Sequence, residues 1–181
     1  MRRKFTTGIL FSISFVIVVF ALSSWGYLKE NTQPSNELAA ENTFRHLYEQ
    51  QCPPREGMLY TDTLSITDEG IYFSCTHAAG HSNNVMLWYF ASSDEARVNF
   101  DERRESNPIT DFHGYPSSYF EKPDYMVQGG LQKMLVWRVK NMLFIITSFD
   151  DTHFSIARDP LVIAEELVQI AREERFIITN R

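Results

Sequence analysis

Hydrophobic and polar positions divide this chain into an uncharged N-terminal run, a polar tether and a series of strand-like and helix-like segments. Phe5 to Leu28 holds 24 residues without a charge, directly after Arg2, Arg3 and Lys4. As a helix such a run extends roughly 36 Å, enough to cross a hydrocarbon core of about 30 Å with some tilt. Residues 29–36, KENTQPSN, are polar and aperiodic, as a short linker is. From about Glu37 to Gln51 the apolar positions Ala40, Phe44, Leu47 and Tyr48 recur at helical spacing, and Cys52-Pro53-Pro54 ends the pattern.

Strand-like runs follow at Met58 to Leu64, Gly70 to Cys75 and Val85 to Phe90, divided by Asp68-Glu69-Gly70 and by a polar loop from Ala78 to Asn84. Ser92 then suits a helix N-cap with Glu95 as its capping-box partner, predicting a helix to about Arg104. Asn107-Pro108 breaks the pattern, and Phe112 to Gly130 shows no defined strand. The sharpest hairpin is Leu131 to Val139, a turn at Lys140-Asn141, and Met142 to Phe149. Because Met142 to Ile146 is almost wholly apolar, that arm is expected in the sheet centre with both faces covered. Asp159 as N-cap, Pro160 at the first helical position and the stripe Ile163, Ala164, Leu167, Val168, Ile170 and Ala171 predict a final helix to about Glu174.

Together these elements predict an α+β class: an N-terminal transmembrane helix, then one domain over residues 37–181 with an antiparallel or mixed sheet packed by two to three helices. Two strand-to-helix units recur, at Leu87 to Arg104 and Leu143 to Glu174. An internal duplication and chance both account for them, since residue identity between the halves is slight.

Three basic residues precede the apolar run and only Lys29 follows within the next 15, so the N-terminus is expected in the cytoplasm and the domain outside the cell membrane. Residues 5–28 would then meet the lipid bilayer as a single-pass signal anchor. A cleaved secretory signal is the alternative, with small residues at Ala21/Ser23 and Ser24/Gly26; the length of the run and the aromatics Trp25 and Tyr27 favour the anchor. Beyond residue 28 stand 14 Lys plus Arg against 23 Asp plus Glu, a balance that disfavours nucleic acid as a partner. Cys52 and Cys75 are the only cysteines, and in an oxidising compartment an even count favours a disulfide.

Candidate chemistry is sparse. Cys75, His77 and His81 in CTHAAGH resemble a metal set, but a disulfide would consume Cys75 and no fourth ligand is evident, so neither a metal nor another cofactor is expected. Cys75 with His77 or His81 as base lacks the surroundings of a nucleophile. Motifs of the common hydrolases, phosphate-binding loops and calcium loops are absent. Asp150, Asp151, His153 and Asp159 gather at a strand end, where carboxylates serve as turn and capping residues more often than as acids or bases. Tyr115, Tyr119, Phe120 and Tyr125 lie among Gly, Pro and Ser, a composition suited to a recognition surface. The resulting expectation is an extracytoplasmic interaction or accessory module for another membrane or envelope component. A small-ligand binder is the alternative, ahead of a hydrolase or metal-dependent enzyme.

Overall fold

The computed structural model describes residues 36–52, 62–78, 81–124, 130–151 and 157–178, with backbone alone at 77, 78, 124 and 151. The apolar run at 5–28 and the tether up to residue 35 lie outside the described residues. Among the described residues no helix is long and apolar enough to cross a membrane.

The domain is α+β: a seven-stranded antiparallel sheet and three helices. In chain order these are α1 (Asn36–Gln51), β1 (Thr63–Thr67), β2 (Gly70–Ala78), β3 (His81–Tyr89), α2 (Ser93–Arg103), β4 (Thr110–Phe112), β5 (Tyr115–Asp124), β6 (Gly130–Val139), β7 (Met142–Asp151) and α3 (Pro160–Glu173). The sheet order β1-β2-β3-β7-β6-β5-β4 joins two meanders through their last strands, β3 and β7. Met142 to Ile146 on β7 are all buried, which is why that run carries no polar face.

Alternation along the strands feeds two cores. On the inner face Phe73, Val85, Leu87, Trp137, Phe144 and Ile146 pack with Phe44 and Leu47 of α1 and with Ile163 and Leu167 of α3. On the outer face Phe120, Val136, Leu143 and Ile145 pack with Phe100 of α2. Ser92 caps α2, its Oγ accepting from the Glu95 N–H at 3.1 Å, while the Glu95 carboxylate accepts from the Ala91 N–H at 3.2 Å. Helices α2 and α3, which end the two strand-to-helix units, lie on opposite faces. The order of elements repeats, but the side of the sheet that the helix covers does not.

Two sequence expectations are corrected here. Most of the expected loop from Ala78 to Asn84 is the start of β3, because His81 and Asn83 find polar partners inside the domain while Ser82 and Asn84 face outward. The ill-defined stretch after Phe112 is strand β5, paired with β6 from Ser117 to Asp124. His113 and Gly114, with φ of 55° and 83°, form the two-residue turn that joins β4 to β5.

Cys52, just past α1, is disulfide-bonded to Cys75 on β2, with the Cα atoms 5.4 Å apart. The bond ties the first helix to the sheet.

Candidate functional site

Two of the three metal candidates have other partners. Cys75 is held in the disulfide, and His81 donates its Nδ1–H to Asp150 at 2.6 Å, both residues being buried. The side chain of His77 lies outside the described residues. No group of three His, Cys, Asp or Glu among the described residues is placed to hold a metal. Asp150 also accepts from the Ala157 N–H at 3.1 Å, and Asp159 accepts from the Leu161 N–H at 2.9 Å as the cap of α3. The side chains of Asp151 and His153 lie outside the described residues.

Next to that pair runs a polar seam that the sequence analysis did not single out. Asn83 Nδ2 donates to Ser148 Oγ at 2.6 Å and to the Arg158 carbonyl at 2.8 Å, while its Oδ1 accepts from the Arg158 N–H at 3.1 Å. Arg158 is paired with Glu166, which also accepts from Gln51 of α1. Each of these contacts holds the start of α3 against β3, β7 or α1. The seam is a structural clamp, legible in hindsight only as polar residues at inward strand positions.

Strand alternation divides the aromatic set. Tyr115 and Tyr119 pack against the inner core, whereas Phe120, 7% exposed, belongs to the outer core beside Phe100. Tyr125 lies outside the described residues. Tyr119 donates its hydroxyl to Asp159 at 2.9 Å; burial, then this hydrogen bond and the charges of Asp159 and Glu121, push its phenol well above the usual tyrosine range. Tyr115 and Tyr119 therefore lie on the opposite face of the sheet from Phe120.

A groove does form elsewhere, of about 390 Å³, between α2 and the outer face of β1 to β3. Its floor is the outward row of those strands: Ser65 and Thr67 on β1, Gly70 and Tyr72 on β2, and Trp88 on β3. Tyr72 is directed by its hydroxyl, which donates to Asn84 at 3.3 Å. Glu95 and Asn99, one turn apart on α2, make the wall, and Phe90 lines the end where β3 turns into that helix. Glu69 stands at the β1–β2 turn, fixed by its carbonyl, which accepts from the Tyr89 N–H at 3.0 Å. Thr67 Oγ1 closes the same turn onto the Gly70 carbonyl at 3.1 Å. The groove exists because α2 buries only Ala96 and Phe100 and packs over β6 and β7, leaving the β1–β3 half of this face beside it. No motif announces it, since its aromatics come from two strands and a strand end.

No protein-family model matches the chain, and no curated protein matches it. Solved structures similar to it include a protein from Bacteroides thetaiotaomicron VPI-5482, at 12% identity and a TM-score of 0.38, over 60% of this chain and 39% of that one. Another is the extracellular domain of PknH from Mycobacterium tuberculosis, at 14% identity and a TM-score of 0.34, over 57% of this chain and 63% of that one. The chain thus spans less than two thirds of either matched chain.

Above the groove, Arg103 lies one further turn along α2 from Asn99, its guanidinium carbon 4.8 Å from the centre of a Trp88 ring. Glu95, Asn99 and Arg103 form one stripe along the helix, four residues apart. Inside the domain Tyr89 turns the other way, toward the inner core beside Glu37 of α1. Burial, then the Glu37 charge, raise its phenol to about 12.

Proposed function

We propose that this chain is an extracytoplasmic binding module, held to the cell membrane by residues 5–28 as a single-pass anchor, that takes its ligand in the groove between α2 and β1 to β3. The observation that carries this reading is the groove itself. Its volume of about 390 Å³ falls within the range of small-ligand sites, and aromatic faces combined with a few fixed polar groups are the usual lining of such sites. The Cys52–Cys75 bond supports the oxidising side of the membrane.

Full-length protein in mild detergent, screened by thermal shift against panels of small cations, neutral saccharides and anions, tests the reading. A compound that binds only the folded state raises the melting temperature. The expected result is stabilisation by one panel that is lost in Trp88→Ala. A set of panels without any Trp88-dependent shift would overturn it.

A further inference from the structure

We infer that the groove selects a ligand carrying a positive charge, an ammonium or guanidinium group, seated on the aromatic face of Trp88 and countered by Glu69 and Glu95. This rests on the groove being the binding site, as proposed above, and adds the chemical class of what it binds.

Charge disfavours one class. Among the described residues the lining contains Glu69 and Glu95 but no lysine, arginine or histidine, so a phosphate or carboxylate would meet two negative charges, with Arg103 standing outside the lining over Trp88. Glu69 belongs to the β1–β2 turn, whose backbone bonds Tyr89, and Glu95 to the first turn of α2. Glu95 has one oxygen engaged by the Ala91 N–H, and both glutamates are exposed, so their charges reach the groove mouth.

The second observation is independent of the acids. Arg103 already occupies a π face of Trp88, at 4.8 Å, and among the described residues it has no carboxylate within ion-pair distance. A guanidinium free to extend into solvent lies instead on the indole. An indole face attracts a cation through its quadrupole, most strongly among the aromatic side chains, and such faces bind alkylammonium ligands. Tyr72 and Phe90 add two further rings to the same groove. Trp88 thus already holds one cation, Arg103, which the ligand's own cation would have to displace.

Titration of the full-length protein in mild detergent, followed by tryptophan fluorescence and calorimetry, reads the outcome. Spermidine represents a free amine, a Gly-Lys-Gly-Arg-Gly peptide a basic chain segment, maltotriose a neutral ligand, and inorganic phosphate an anion. Spermidine or the peptide should bind, and which of the two is tighter identifies the source of the cation. Affinity should fall about tenfold in Trp88→Ala, the loss expected for a desolvated cation on an indole. The double variant Glu69→Gln/Glu95→Gln alters only exposed side chains, keeps the fold, and should weaken binding several-fold. Raising salt from about 0.05 to 0.3 M should weaken it further, because exposed charges are screened. Trp88-dependent binding of maltotriose or phosphate in place of the cations would overturn the cation assignment and leave the groove as a binding site. Cation binding unaffected by either variant would place it elsewhere and overturn the assignment as well. No binding by any of the four overturns both readings.

Discussion

Gly70 lies directly across the β2–β3 ladder from Trp88, and a Cβ at position 70 would sit 2.1 Å from the Leu87 carbonyl oxygen. The obstruction is backbone of the neighbouring strand, which no rotamer change relieves. Gly70→Ala should therefore push β2 away from β3 at the groove floor. Overpacking of this kind costs about 1–3 kcal/mol. Urea unfolding should show the loss, and any ligand that needs Trp88 should bind more weakly than to a variant of equal stability altered in the inner core.

The Cys52–Cys75 bond closes a loop with a sequence separation of 23 residues, between a helix end and a strand that the inner core already holds together. In the chain-entropy account a loop of this size contributes about 3 kcal/mol by restricting the unfolded chain. Cys52→Ser/Cys75→Ser should lower the urea midpoint accordingly without changing ligand affinity, because the bond lies on the inner side of β2 and the groove on the outer. A matching loss of affinity would show that the two sides are coupled.

Helix α2 is the least anchored wall of the groove. Phe100 is its one large buried side chain, and Ser92 its cap. Phe100→Ala should cost about 3–5 kcal/mol and Ser92→Ala about 1 kcal/mol. The useful contrast is local: Ser92→Ala should speed amide hydrogen exchange through the first turn of α2 while leaving β6 and β7 protected. Equal acceleration in all three elements would mean that the helix and sheet open as one unit.

Much of this fold was legible in the sequence where local chemistry and burial agree. Asp159 with Pro160 marked the start of α3, Ser92 that of α2, and the unbroken apolar run from Met142 marked a strand covered on both sides. Failure came where the two disagree. Strand β5 contains Pro116, Pro123 and two serines, which read as turn chemistry, yet β6 supplies a full antiparallel partner. Strand β4 covers only Tyr115 to Ser117, so Pro123 lies at an edge, where proline is tolerated, and Pro116 precedes the β6 ladder. His113-Gly114 was the missed signal, a two-residue turn with both φ values positive. The aromatic set divides for the same reason: in a strand, Tyr119 and Phe120 must point to opposite faces. The groove was illegible because register, not sequence proximity, brings Gly70 and Tyr72 beside Trp88.

Two inner-face tyrosines make stability depend on alkaline pH. Tyr89 is raised to about 12, first by burial and then by Glu37, and Tyr119 is raised further by burial and by Asp159. An unfolded tyrosine ionises near pH 10. Above that pH the unfolded chain sheds protons that the folded one retains, so stability is full below about 10 and falls as pH rises toward 12. Tyr89→Phe/Tyr119→Phe should flatten this decline in thermal melts between pH 9 and 11.5. The single variants should differ near neutrality. Tyr89 has a buried hydroxyl without a partner among the described residues, so Tyr89→Phe should be neutral or stabilising, whereas Tyr119→Phe gives up the bond to Asp159 and should cost about 1.5 kcal/mol. Equal costs for the two would mean that the Tyr89 hydroxyl has found a partner and would overturn the contrast between the two variants.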